Sequence, residues 1–315
     1  MYTIGEKKAT REAYGAALSE FGCDERIVVL DADLSKSTKT ESFQKAYPER
    51  FFNVGIAEGN MMATAAGMAA CGKIVFASSF AMFAAGRAFE QIRNSIGYPG
   101  LNVKIGATHA GISVGEDGAT HQCVEDLGLM RTIPGMVILN PADATEARLS
   151  VKAAIDYAGP VYLRFGRLPV PTIFGKDYKF DIGKGVELCD GTDVTIIATG
   201  LMVPNAVEAK TILAEQGISA RVVNMPTIKP IDREIIVKAA KETGAIVTAE
   251  EHNIIGGLGS AVAEVLCEEY PVPLQRVGTN DVFGRSGTPA ALLEMYGLDT
   301  KTIVEKAKAV FAKKA

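Results

Sequence analysis

The side chains most able to do chemistry fall in three stretches. In Asn53-Val54-Gly55-Ile56-Ala57-Glu58-Gly59-Asn60 a short apolar run ends in a carboxylate that opens an Ala/Met-rich helical pattern. An acid in the first turn of a helix is favoured by the helix dipole, which alone accounts for Glu58. A carboxyl held in a mostly apolar site has a second capability: its pKa rises and it can share a proton with a heterocycle. Next come Phe80, Phe83 and Phe89 on a helix-like segment, where aromatics three residues apart share a face. They suit core packing, or a flat ring cofactor stacked against them. The densest stretch runs from Thr108 to His121. It holds two of the chain's three histidines, His109 and His121, with Glu116 and Asp117 between them. Glycines at 111, 115 and 118 imply an irregular loop that lets backbone approach something closely. The histidine spacing matches no zinc motif. The loop therefore reads as structural, or as a polar catalytic loop at the carboxyl edge of a parallel sheet.

Positioning such groups requires strands and helices in alternation, and the chain supplies them. Ile27 to Leu30 follows a helical pattern from Arg11 to Phe21, Lys73 to Ala77 follows Gly59 to Ala70, and Asn102 to Ala107 follows Ala85 to Ile96. Met136 to Leu139 and Val161 to Phe165 continue the rhythm around helical patterns from Val124 to Arg131 and Ala144 to Ala158. This alternation predicts parallel strands joined by crossover helices. Two prolines in Arg167 to Gly175, then polar residues to Gly191, break it. The expected organisation is two parallel-sheet α/β domains, 1–170 and 192–315, around a linker at 171–191. In the second, strands at Val194 to Ala198, Ala220 to Met225 and Ala245 to Ala249 alternate with helices, and three helical segments close the chain. Gly256-Gly257-Leu258-Gly259 lacks the full dinucleotide-loop frame and reads as a helix start or a close helix packing. His252, beside Glu250 and Glu251, reads as a surface histidine at a strand end.

At 315 residues and 48% hydrophobic content the chain can fill two cores. A net charge of -4 gives no electrostatic reason to expect a nucleic-acid or anionic-membrane partner. Apolar runs such as Met61 to Cys71 are far short of the ~20 residues needed to cross a bilayer. The first residues hold no apolar run of the signal-peptide kind. Five cysteines, none in a CxxC pair, read as reduced and mostly buried thiols, which places the chain in the cytoplasm.

With these residues in view, the chain resembles the second half of transketolases nearly end to end. The resemblance is carried by Thr10-Arg11-Glu12-Ala13-Tyr14-Gly15, Asp31-Ala32-Asp33-Leu34-Ser35-Lys36-Ser37-Thr38, Ile56-Ala57-Glu58-Gly59-Asn60-Met61 and Ser79-Phe80-Ala81-Met82-Phe83. To these add His109 through Gln122, Arg164-Phe165-Gly166-Arg167, and Gly256 through Glu264. The resemblance implies a pyrimidine-binding domain followed by a transketolase C-terminal domain, and thiamine diphosphate as cofactor. It implies that Glu58 bonds the aminopyrimidine ring and promotes the imino tautomer that deprotonates the thiazolium C2. Phe83 stacks on the pyrimidine with Phe80 beside it, and Asp33 lies near the cofactor. Arg11, Ser37, His109 and Arg167 grip the sugar's phosphate, His109 as a donor that can carry charge. Asp117 and His121 contact the hydroxyls of the donor ketose, and Glu58 and His121 are the expected catalytic pair. Two positions depart from the family: Gly86 stands where some members place a further aromatic, and Gly59 where glutamine or phenylalanine is frequent.

The family's Gly-Asp-Gly segment, which with a later asparagine holds the divalent metal and the diphosphate, is absent from this sequence. In the family that domain precedes the pyrimidine-binding one. The expectation is therefore a split transketolase. A separate N-terminal subunit carries the Mg2+ or Ca2+ ligands, this chain contributes none, and the active assembly is α2β2. The expected reaction takes sugar phosphates, moving a two-carbon unit from xylulose 5-phosphate to ribose 5-phosphate in the pentose phosphate pathway. The rival readings are the β subunit of a 2-oxoacid dehydrogenase, a relative of deoxyxylulose-phosphate synthase, and a non-catalytic scaffold subunit.

Overall fold

The computed structural model describes residues 2–314. Runs of β-branched residues form strands buried on both faces, as sheets covered by helices on each side require. The first sheet has seven strands, in the spatial order Thr227–Lys229, Val137–Leu139, Val161–Arg164, Val103–Thr108, Ile74–Phe80, Ile27–Asp31 and Phe51–Asn53. Six of them run parallel, and Thr227–Lys229 pairs antiparallel with Val137–Leu139. The second sheet orders Leu274–Thr279, Ile246–Asn253, Val194–Ala198, Ala220–Asn224 and Val186–Cys189, the last of these antiparallel. A doubly covered α/β chain with parallel-dominated sheets is what the alternation implied.

The two halves are tied more tightly than a linker implies. Thr227–Lys229 follows strands of the second sheet in sequence yet completes the edge of the first. Within 171–191, Val186–Cys189 pairs with Ala220–Asn224. Just before it, Pro169–Pro171 pairs with Lys7–Ala9. One apolar cluster joins Met61, Met62 and Ile92 of the first half to Ile197, Met225 and Ile236 of the second.

Some local expectations change. Phe80 ends a strand instead of lying on a helix, and the turns that follow, Met82–Arg87 and Ile92–Gly97, are widened π-type helix. His252 is fully buried inside strand Ile246–Asn253, not on the surface. Of the cysteines only Cys123 is buried; Cys23, Cys71 and Cys267 are exposed and Cys189 is intermediate. The glycine run does start a helix: Leu258 and Gly259 donate their N–H groups to the buried Glu250 carboxylate at 2.6 and 2.7 Å. That carboxylate takes up donors which the first turn leaves without helical partners. Among the described residues no helix is long and apolar enough to cross a membrane.

Candidate active site

In an open parallel sheet, ligand sites form beyond the carboxyl ends of the strands, where helices and loops diverge. Asp33, Phe80, His109 and Arg167 lie at or just past the ends of four neighbouring strands, Ile27–Asp31, Ile74–Phe80, Val103–Thr108 and Val161–Arg164. Residues scattered over more than a hundred positions are thus delivered to one edge.

A continuous chain of contacts runs across this edge. Arg11 Nη1 lies 3.2 Å from His109 Nε2, and the His109 ring stacks on Phe80 at 3.8 Å between centroids. Phe80 stacks on Phe83 at 5.9 Å, and His121 meets the Phe83 ring edge-on at 5.2 Å. The Arg87 guanidinium lies over Phe83, 4.7 Å from the ring centroid, and donates from Nη1 to Glu58 Oε2 at 2.7 Å. Glu58 is the first residue of helix Glu58–Ala70 and its side chain is only 1% exposed. A carboxylate that deep needs a partner, and Arg87 is that partner. Sequence reasoning missed Arg87. Its pattern signal is weak, because the π-type turn puts it out of step with the 3.6-residue period. It also bears on Gly86: Arg87, not residue 86, covers Phe83, and a Cβ at 86 would come within 2.3 Å of Met82 Cε.

The opposite end of the chain of contacts is basic. Burial, with Arg11, Arg167 and Lys39 adding to it, pushes the pKa of His109 down to about 3. His109 is therefore a neutral imidazole at ordinary pH. Burial and the neighbouring cations both disfavour the protonated ring, so His109 faces the site without the charge the resemblance allowed it. Its Nδ1 lies 2.9 Å from Thr108 Oγ1, and its φ of 58° is in the left-handed region, so the backbone is bent to present the ring. Lys39 was not foreseen. Burial and the like charge of Arg167 lower the Arg11 pKa. Arg11 Nε and Ser79 Oγ are buried and have no hydrogen-bond partner among the described residues.

The remaining expected residues are placed unevenly. Ser37 meets Arg11 through its backbone carbonyl, which accepts from Nη1 at 2.8 Å. Arg167 donates to Val114 O and lies 3.8 Å from both Glu116 Oε2 and Asp117 Oδ2. Asp117 is exposed on the loop, and His121 Nδ1 lies 2.9 Å from Thr120 Oγ1. Asp33 stands apart: it is exposed, has φ 65°, and accepts from Asn53 Nδ2 at 2.8 Å. The buried neighbour Asp31 shapes its loop by accepting from Leu34 N, Thr38 Oγ1 and Thr40 Oγ1.

A buried carboxylate beside a paired aromatic surface suits a flat, basic heterocycle such as an aminopyrimidine, and the unpartnered Arg11 Nε suits an anion. No group of three or more His, Cys, Asp or Glu side chains among the described residues could hold a metal ion.

Comparison with known proteins shows which family the chain resembles. The model for "Transketolase, pyrimidine binding domain" matches residues 6–172, and that for "Transketolase, C-terminal domain" matches 183–303. The chain is 54% identical to a putative transketolase C-terminal section from Methanocaldococcus jannaschii, covering 96% of each. It is 44% identical to a 6-deoxy-6-sulfo-D-fructose transketolase subunit from Clostridium sp., covering 98% of this chain and 96% of that one. Against rat transketolase it is 37% identical and spans 50% of that protein. Among solved structures, a split-gene transketolase described as an inactive β4 tetramer superposes with a TM-score of 0.92 at 59% identity, covering 98% of this chain and 99% of that one. Pichia stipitis transketolase with sedoheptulose 7-phosphate superposes at 0.84 and 26% identity, covering 99% of this chain and 47% of that one.

Proposed function

Since this chain belongs to the transketolase family, whose members depend on thiamine diphosphate, we propose that it is the C-terminal subunit of a two-chain transketolase. It moves a two-carbon ketol unit from a ketose phosphate, xylulose 5-phosphate, to an aldose phosphate, ribose 5-phosphate, in a cytoplasmic pentose phosphate pathway. The observation that carries the reading is the unbroken chain of contacts from Arg11 through His109, Phe80 and Phe83 to Arg87 and Glu58. It joins a basic, anion-binding end to a buried carboxylate, as a cofactor and a phosphorylated sugar together require.

Glu58, Phe80 and Phe83 would hold the pyrimidine ring, with Asp33 at the rim. The bound cofactor supplies the carbanion-stabilising chemistry that protein side chains lack. Glu58 holds or releases a proton at its carboxylate oxygen, and the buried setting keeps competing water from it. Arg11 and Arg167 neutralise the sugar's phosphate through planar forks of N–H donors, while neutral His109 and Ser37 line the same end. Asp117, exposed, and His121, half-buried, on the loop from His109 to Gln122 orient the ketose hydroxyls. The diphosphate and its Mg2+ or Ca2+ are assigned to an N-terminal partner subunit in an α2β2 assembly. The likeness to a split-gene transketolase and to a transketolase C-terminal section supports that assignment.

The test is reconstitution with the N-terminal subunit encoded beside this chain. With thiamine diphosphate and magnesium, the mixture should convert xylulose 5-phosphate and ribose 5-phosphate to sedoheptulose 7-phosphate and glyceraldehyde 3-phosphate. Full activity from this chain alone would overturn the two-subunit reading. Turnover of a sulfo-sugar in place of xylulose 5-phosphate would overturn the choice of sugar.

A further inference from the structure

The loop from His109 to Gln122 is closed on itself by a few hydrogen bonds, among them Gly111 N to Cys123 O at 2.8 Å and Gln122 Nε2 to Ile112 O and Gly115 O at 3.2 Å. Gly111, Gly115 and Gly118 all have positive φ, and between them lies only a kinked 3-10 segment, Ile112–Asp117. Short 3-10 turns have poor hydrogen-bond geometry and do not persist alone. The C-terminal domain adds further contacts to the loop's own. Ile112 within the loop and Val124 just past it are buried in the apolar core of that domain together with Ile196, Val247 and Val277 of its sheet. Ser286 Oγ donates to Glu116 O at 2.8 Å, and Gln122 Nε2 reaches Arg285 O at 3.0 Å.

The innermost of these contacts is made by Glu251. This residue sits in the carboxyl half of strand Ile246–Asn253, is 3% exposed, and accepts the Ser113 N–H at Oε1 over 2.6 Å. Its approach is so close that a Cβ on Gly111 would lie 2.3 Å from the Glu251 carboxyl. Its own backbone is pinned in turn: Arg164 Nη2 donates to Glu251 O at 2.9 Å, while Arg164 Nε pairs with the buried Asp126 at 2.8 Å. A buried carboxylate costs free energy unless a donor satisfies it. The Ser113 N–H is that donor, so this buried hydrogen bond couples the loop to Glu251.

We propose that Glu251 is a positioning residue through which the C-terminal domain sets the geometry of the His109–Gln122 loop and thereby the enzyme's affinity for the donor sugar. The second half of the proposal rests on the substrate role given to that loop above; the first half does not. The domain thus reaches into the site from behind, through a residue that touches no substrate.

Hydrogen exchange on the full chain separates the two halves. Glu251→Gln keeps an acceptor oxygen and should leave loop exchange within about twofold of the parent. Glu251→Ala should speed exchange across 109–122 by about tenfold or more, while strands Val103–Thr108 and Val161–Arg164 keep their protection. If the alanine variant does not fold, Glu251→Asp serves instead, since losing one methylene withdraws the acceptor by about 1.5 Å. Unchanged loop exchange, or a rise spread evenly over the whole chain, would overturn the proposal. In the reconstituted enzyme the variant that frees the loop should raise KM for the ketose phosphate by about threefold or more with kcat within about twofold. A fall in kcat with KM unchanged would overturn the link to sugar affinity. A reconstituted enzyme inactive from the start would count against the transketolase reading and leave the exchange result to stand on its own.

Discussion

Arg87 and Glu58 form an ion pair of unequal partners: Nη1 and Oε2 are 2.7 Å apart, the arginine side chain is 51% exposed and the carboxylate 1%. The arginine can move into water at little cost, whereas the carboxylate is fixed at the start of its helix. Only the anion is committed to the site. A ligand able to satisfy Glu58 would therefore compete with a mobile cation and not with a second buried group.

Removing the arginine should expose that asymmetry. Arg87→Ala leaves a buried carboxylate short of its partner and should lower unfolding free energy by roughly 1–2 kcal/mol, less than for a pair buried on both sides. Chemical denaturation of Arg87→Ala, Glu58→Gln and the double variant would measure it. A coupling energy near zero would mean the pair adds nothing to the fold.

In the reconstituted enzyme, Glu58→Gln should assemble normally and lose roughly 10²–10⁴-fold in kcat, because an amide cannot exchange the proton. Steady-state rates at saturating cofactor check this, and near-parental turnover would remove Glu58 from its assigned role.

Arg167→Ala should act on binding. It withdraws a charge-assisted contact at the basic end of the site, so KM for phosphorylated sugars should rise about tenfold or more. Competition by inorganic phosphate should weaken in parallel. An unchanged KM would mean Arg167 serves only Val114 and the loop carboxylates.

His109 should not titrate between pH 5 and 8 in the full chain, since burial and Arg11, Arg167 and Lys39 hold its pKa down to about 3. The folded value lies below the free one of 6.5. Its contribution to stability is therefore full above pH 6.5 and lost as the pH falls toward 3. Ring-proton NMR across that range is the measurement, and an inflection near 6.5 would refute the buried, neutral ring.

Glu146 should behave in the opposite sense. Burial, with Asp143 adding to it, raises its pKa to about 7 against the opposing hydrogen bonds from Ala142 N, Tyr178 and Asn224. A folded value above the free one of 4.5 gives a contribution that is full below 4.5 and lost as the pH rises through about 7. Stability of the parent relative to Glu146→Gln should accordingly fall between pH 5 and 7, by at most about 1.4 kcal/mol per pH unit. A difference flat with pH would show the carboxyl to be ionised throughout.

Much of this molecule was legible in the chain itself. Strands and helices alternate because side-chain periodicity is local, so the two parallel-sheet halves, the helix opened by Glu58 and the glycine-bearing loop around His109 and His121 could all be read from neighbours in sequence. What tertiary structure alone decided is where partners from far away meet. Strand Thr227–Lys229 crosses to the first sheet, the buried Glu58 takes Arg87 as its partner, and Glu251 reaches Ser113 over 138 positions. His252 and the exposed cysteines were misjudged for the same reason, since burial depends on what packs from elsewhere. A polar group's role is set by the partner that satisfies it, and no local pattern carries the identity of a partner brought in by the fold.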